Sequence, residues 1–448
     1  MQLRCGSKLD FMKVNCFFKL RRESLAKLLV IALFIGGIIT DIINGLLGTQ
    51  ELSLSVSAIF RGTIEIVGIL VIFLSRKISV RWKALIFVLI LLFFLTQIYS
   101  FFSNYNVYLF FEISRFFKVL YIPVISMFIY VFLLRYKNFR YLILNTLSLA
   151  GFIESLAIIF PFLLGYGKPT YTVTTIGSRG ILLSPNEIAL SLLIVEAITV
   201  WLFLYSKKKI YLLYFVSIVI GMIILATRTS ILGSIVVPVI ILFLALFCEF
   251  YCKRSLSYEF NSIRCIFFLF IVSVTSYNAY VNLLNNEYLI QKILYFLQYF
   301  NARGDLQEVG IEVLFNSSVC SILFGNTPSV FFFNVQKEGQ FAYYSKIGKN
   351  VEVDWIDIWG CYGLIFLIVI YLFYFYFLFA STKKFLMGRK KEFGLITFLL
   401  SLFLAHSLLA GHALMAPLPG NYIAPLIAFV LSDRKSKKVL KDEYRESK

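Results

Sequence analysis

Charge is scarce in this chain, and histidine is nearly absent. Only 15% of residues are Asp, Glu, Lys or Arg, against about 25% in a soluble domain. That shortage excludes a solvated globular enzyme. The two histidines, His406 and His412, stand six residues apart, which does not put them on one helical face. No metal site is expected from them. The seven cysteines are odd in number and lie mostly in apolar or basic stretches, so they form no disulfide framework. None has zinc spacing with a histidine. No internal repeat is evident, which counts against an inverted-repeat transporter. The first apolar stretch, near Lys27, lacks a small-residue cleavage pattern, and no removed leader is expected.

What fills the chain instead is apolar helix. Of 448 residues, 60% are hydrophobic and 18% aromatic, with a mean hydropathy of +0.84. A span needs about 20 apolar residues, so about twelve fit with one sizeable loop left over. The patterning places spans at 26–48, 55–75, 83–102, 115–134, 141–164, 186–205, 210–227, 229–250, 265–283, 356–379, 393–411 and 414–432. Thirty-two of the 43 Lys and Arg residues fall in alternate gaps, at the two ends or, as Lys27 and Lys83 do, at the very start of a span bordering them. Eight fall in the other gaps and three inside spans. Basic loops stay cytoplasmic. The expected fold is therefore an all-α polytopic membrane helix bundle with both termini cytoplasmic. It is one integral membrane domain over 1–448, with a long extracytoplasmic loop at 284–355. Short helices are expected in that loop near 286–300 and 305–318. The net charge of +19 does not signal nucleic acid, because the cations are dispersed over short loops.

Chemistry is then sought on the sparsely charged outer side. Ser184-Pro185-Asn186-Glu187 opens the sixth span. Ser184 suits the N-cap, Pro185 the first helical position, and Glu187 the far side of a capping box. Arg179, just upstream, is a cation that topology does not require. An arginine fork beside a helix N-terminus suits an anion. Arg228, in the tight turn between the seventh and eighth spans, is either a second phosphate ligand or an arginine reaching lipid headgroups. Thr227 or Thr229 caps the helix in either case. Arg303, in the long loop, is a third candidate.

Inside the spans, Arg61 and Glu65 are four apart and placed to neutralise each other. Glu112, Arg115 and Lys118 form a similar group, and Asp41 and Glu154 are isolated acids. Each is a structural contact within the bundle or the lining of a polar cavity. Where the long loop re-enters the membrane stand Glu352, Asp354 and Asp357. They are helix N-terminal acids that complement the dipole, or one of them is a general base at a cavity mouth. His406 and His412 are expected to hydrogen-bond a polar ligand or neighbouring helices.

Taken together, four stretches resemble the O-antigen polymerase and O-antigen ligase family of bacterial polysaccharide assembly. They are Ser-Arg-Gly…Pro-Asn-Glu (178–187), Arg-Thr-Ser (228–230), Phe-Gly-Asn (324–326) before Asp-x-x-Asp-x-x-Gly-x-x-Gly (354–363), and Gly-His-x-Leu-x-x-Pro (411–417). Their order and topology match over roughly 25–432. The resemblance implies a metal-independent glycosyltransferase without cofactors, in the bacterial cytoplasmic membrane. Its donor and acceptor would both be undecaprenyl-diphosphate-linked oligosaccharides, with a chain-length regulator as an optional partner. Ligases of the family resemble one another in a histidine of the long outside loop. Residues 284–355 contain none, which favours polymerase over ligase and leaves Glu352 or Asp354 as the acceptor's base. Arg179, Arg228 and Arg303 are then the expected diphosphate ligands. Arg61, Arg115, Asn186, Glu187, His406 and His412 are expected to line a polar cavity. A lipid-linked oligosaccharide flippase or other transporter is the competing expectation, supported by the intramembrane Arg61, Arg115 and Lys118.

Overall fold

Helix dominates because almost every long stretch is apolar, and it runs on through the internal prolines Pro123, Pro161, Pro238 and Pro425. The structure, a computed structural model, describes residues 5–48, 55–103, 108–136, 139–171, 177–206, 208–251, 304–340, 348–388 and 390–446. Among them run α1 (Cys5–Leu47), α2 (Val56–Leu74), α3 (Val80–Phe102), α4 (Leu109–Arg135) and α5 (Phe139–Leu163). A two-stranded antiparallel ribbon follows, β1 (Lys168–Pro169) with β2 (Ser178–Gly180). Then come α6 (Pro185–Tyr205), α7 (Ile210–Leu225) and α8 (Arg228–Tyr251). The late segment holds α9 (Gly304–Phe315), α10 (Val319–Phe324) and α11 (Pro328–Glu338), and then α12 (Asp354–Leu386), α13 (Glu392–Leu409) and α14 (Pro417–Glu446). Nine helices among the described residues are long and apolar enough to cross a membrane. The protein is a polytopic helical membrane protein.

Helix α6 is the axis of the bundle. Its apolar residues run all the way round, which is the pattern of a fully enclosed helix. Every residue from Ile188 to Tyr205 is buried. Helices α5, α7, α8, α13 and α14 pack around it, and α4 makes its most extensive contact with α14.

Eleven of the twelve expected spans coincide with described helices, within a few residues at most ends. The twelfth, 265–283, and the expected loop helix at 286–300 lie outside the described residues. The fourth span begins at Leu109 instead of 115. Its early start is held by Glu112, whose Oε1 accepts the Ser329 N–H at 2.9 Å and also the Ser329 hydroxyl. That carboxylate serves the first turn of α11, whose own N-cap residue, Thr327, makes no side-chain cap bond.

Helix α12 is broken. At Gly363 the backbone turns to φ 87°, ψ 166°, a region open to glycine alone without strain. The broken turn is filled by the stretch between α10 and α11. Asn326 N–H donates to the Gly360 carbonyl at 2.9 Å, and Thr327 N–H to the Cys361 carbonyl at 3.1 Å. The late loop is thereby hydrogen-bonded into the bundle.

The two ends of the bundle differ in how their charges are used. At one end Lys390 and Lys384 approach Asp433 at 3.0 and 3.5 Å. Arg140 pairs with Glu392 and donates to the Phe429 carbonyl at 3.0 Å. Lys391 pairs with Glu249. Burial alone would raise the Asp433 carboxyl, but Lys390 and Lys384 outweigh it and hold it below the usual range. At the opposite end, where α1 finishes and α2, α4, α6, α12 and α14 begin, a cavity opens.

Candidate functional site

The cavity has a volume of about 770 Å³. Its walls come from the end of α1 (Asp41, Asn44), the first turns of α2 (Arg61, Glu65), and the first turns of α4 (Arg115, Lys118). The run Leu182–Ile188, the strap residue Glu352, His412 and the start of α14 complete it. It reaches the outer surface of the bundle at Ile66, Phe110 and Ile113, of which Ile66 is 53% and Phe110 52% exposed. A membrane would present hydrocarbon to those side chains. The hollow is therefore polar within and apolar at its lip.

Two of its cations make no ion pair among the described residues, although Glu187 and Asp41 act on Lys118 from across the cavity and Glu112 acts on Arg115. Among the described residues, Lys118 makes no side-chain hydrogen bond or ion pair. Arg115 lies over the rings of Phe111 and Phe332, at 5.0 and 5.6 Å, and forms no ion pair among the described residues. Being three apart, the two lie on one face of α4. Both are only half-buried, and their charges are presented to the cavity. Such a group in a cavity wall marks a ligand's counter-charge. Glu65, 1% exposed, makes no hydrogen bond among the described residues, and its Oε2 is enclosed. Asn186 and Glu187, also in the wall, make none with their side chains.

Several expectations are corrected here. Arg61 does not pair with Glu65. It forms a two-pronged bond with Asp41 of α1, Nη2–Oδ2 at 2.5 Å and Nη1–Oδ1 at 3.0 Å, and donates to the Ser57 hydroxyl at 2.7 Å. A bidentate carboxylate outcompetes a single contact along the helix. Ser184 stands at the N-cap of α6 and Pro185 at its first position, but the Ser184 hydroxyl makes no cap bond. No capping box closes there, and Glu187 faces the cavity instead. Thr227 and Ser230 cap α8 reciprocally, each N–H donating to the other's hydroxyl at 3.0 Å.

The three acids at the re-entry point take different places. Asp354 and Asp357 are buried and do not line the cavity. Asp354 Oδ2 accepts the N–H groups of Ala413 and Leu414 at 2.9 and 2.8 Å. Asp357 accepts those of Val351 and Glu352 at 2.9 and 3.0 Å. The two carboxylates thus pin the strap 349–353 and the turn 411–414 to the head of α12. Glu352 is left in the cavity wall, 3.0 Å from Lys349 Nζ and 3.7 Å from His412 Nε2. Both Glu352 (φ 67°) and His412 (φ 56°) are left-handed. Such residues cost about 1–3 kcal/mol each and cluster at functional sites.

Arg179 and Arg228 are not among the cavity-lining residues. Arg179 donates to the Leu183 carbonyl and so braces the loop 182–184 in the cavity wall; burial weakens its hold on the proton. Arg228 is half-buried at the first turn of α8. Arg303 lies outside the described residues. His406 is placed on α13, where its carbonyl accepts the Ala410 and Gly411 N–H groups, and does not reach the cavity lining. Arg61, Arg115, Asn186, Glu187, Glu352 and His412 are brought together in it. The earlier reasoning passed over Lys118 as a ligand, although no acid stands three or four residues from it on either side. Among the described residues no group of three or more His, Cys, Asp or Glu could hold a metal ion.

No protein-family model matches the chain, and no curated protein matches it.

Proposed function

We propose that this chain is a polysaccharide polymerase. It would join undecaprenyl-diphosphate-linked repeat units at the outer face of a bacterial cytoplasmic membrane. In this reading about twelve helices span the membrane, both termini are cytoplasmic, and the cavity faces outward. The observation that carries it is the pair Arg115 and Lys118. They are two cations that make no ion pair among the described residues, set in a polar hollow whose lip is apolar. That is the shape of a site for an anionic amphiphile. The donor's diphosphate sits against Lys118 and Arg115, with Arg61 behind them, and its tail leaves past Ile66, Phe110 and Ile113.

The leaving diphosphate needs charge stabilisation more than protonation, and fixed cations supply it. Glu352, held on the strained strap, accepts the proton of the acceptor hydroxyl. That oxygen bonds to the anomeric carbon, whose bond to the diphosphate breaks with inversion. The lipid diphosphate departs with the bonding electron pair. His412 beside Glu352 orients the carboxylate and relays the proton to water. Glu352 is preferred to Asp354 as the base because Asp354 is committed to two backbone donors.

A transporter of the same lipid-linked sugar also fits cations within the spans. Sizing surface glycan in cells separates the two. Loss of the polymerase leaves single lipid-linked units at the outer face. Loss of a flippase leaves them at the cytoplasmic face. Normal-length polymer from the Arg115→Ala, Lys118→Ala double variant would sink the proposal.

A further inference from the structure

The cavity is polar in two separate ways. Cations line the α4 wall, while Glu65 on α2 and Asn186 and Glu187 on α6 form an acceptor-rich wall. Asp41 is occupied by Arg61, but the other three side chains have no hydrogen-bonding partner among the described residues. Glu65 is the most telling of them. It is 1% exposed, it stands in the cavity wall, and nothing among the described residues donates to it. A carboxyl group enclosed without a donor is costly by about 1–3 kcal/mol or more.

We infer that Glu65, Asn186 and Glu187 form a sugar subsite that accepts hydroxyls of the glycan residue attached to the diphosphate. This rests on the polymerase reading and adds to it which wall reads the carbohydrate. A carboxylate offers two oxygens and several lone pairs, which match a neighbouring pair of sugar hydroxyls. An amide beside it donates to ring or acetal oxygens and accepts as well. Arg61 and Lys118 share the cavity with these acids, so a divalent cation would meet opposing charge. A hydroxylated neutral group meets none. The ligand's order follows: apolar tail at Ile66 and Phe110, anion at Arg115 and Lys118, first sugar at Glu65 and Glu187.

The test uses the purified full chain in detergent and two probes. Farnesyl diphosphate is an anionic amphiphile with no sugar. The lipid-linked repeat unit extracted from the producing cells carries one. Glu65→Leu is expected to lose about tenfold in affinity for the repeat unit, roughly one good hydrogen-bonded contact. Glu65→Gln, which keeps an acceptor, should stay within about threefold of wild type. Both should bind farnesyl diphosphate as wild type does, which also shows that they fold. Should Glu65→Leu fail to fold, Glu187→Ala carries the same expectation. Wild-type affinity of Glu65→Leu for the repeat unit overturns the sugar subsite and leaves the polymerase reading standing. An equal loss for both probes also overturns it, by assigning Glu65 to the shape of the cavity. Failure of the wild-type protein to bind farnesyl diphosphate overturns the anion site itself, and with it the reading beneath.

Discussion

Asp354 holds Leu414 by its backbone, the N–H donating to Oδ2 at 2.8 Å, with Ala413 alongside at 2.9 Å. Two segments nearly 60 residues apart in sequence are joined by one carboxylate, and the join sets His412 opposite Glu352. This divides the acids at the head of α12 into two kinds. Asp354→Ala leaves two buried donors without an acceptor, at about 1–3 kcal/mol each. Thermal unfolding in detergent should show a lower Tm for Asp354→Ala and Asp357→Ala. Glu352→Gln should keep the wild-type Tm and lose polymer. A Tm loss in Glu352→Gln as large as in Asp354→Ala would merge the two roles.

Arg115→Ala and Lys118→Ala should each cut polymer formation by tenfold or more, about 1.4 kcal/mol of lost anion stabilisation. Arg179→Ala should act differently. Its guanidinium braces the Leu183 carbonyl, so the wall loop 182–184 loosens while the anion site remains. The expected result is shorter or less abundant polymer, with farnesyl diphosphate affinity close to wild type. Calorimetric titration of the three variants checks this.

Gly411 has φ 65°, and a Cβ there would sit 2.1 Å from the Glu352 carbonyl oxygen. Gly411→Ala must therefore push the strap away from the turn. A destabilisation of about 2 kcal/mol or more is expected, together with loss of activity. Chemical denaturation and glycan sizing measure the two. Wild-type behaviour in both would show that the strap and the turn move apart without consequence.

At the other end, Asp433 lies between Lys390 and Lys384, and its carboxyl is held below the ordinary value. A depressed folded value means that the stability it contributes is present above the unfolded value, about 3.9. It is lost as pH falls through the folded one. Wild type should be more stable than Asp433→Asn at pH 7, and the difference in Tm should shrink from pH 5 to pH 3. A difference that stays constant with pH would show that the pair does not stabilise through its charge.

The spans were legible because hydrophobic length is a local property, and eleven of twelve could be checked against helices. Local rules failed where a partner came from elsewhere in the chain. Glu65 is the nearest acid to Arg61 along α2, yet Asp41 on α1 takes the arginine. The Ser184–Glu187 pattern read as a capping box, yet Glu187 is turned to a cavity that exists only once α1, α2 and α4 surround it. Asp354 and Asp357 read as helix-terminal acids or a base. Their real partners, the backbones of 351–352 and 413–414, are fixed by tertiary packing. Arg115 was visible as an unexplained intramembrane charge. What could not be read was that Glu112 hydrogen-bonds Ser329 at the start of α11 instead of forming an ion pair with it.

The plug at Gly360 and Cys361 gives the segment 304–340 a fate tied to the long helices. Because Asn326 and Thr327 supply the donors that the interrupted turn of α12 lacks, excising residues 304–348 would strip partners from a helix far from the cut. The segment is a keystone, set into the bundle from outside, and not a lid that could be lifted off. Insertions should be tolerated at its exposed faces but not at 325–327, and antibodies or proteases acting on that stretch would have to open the membrane domain first.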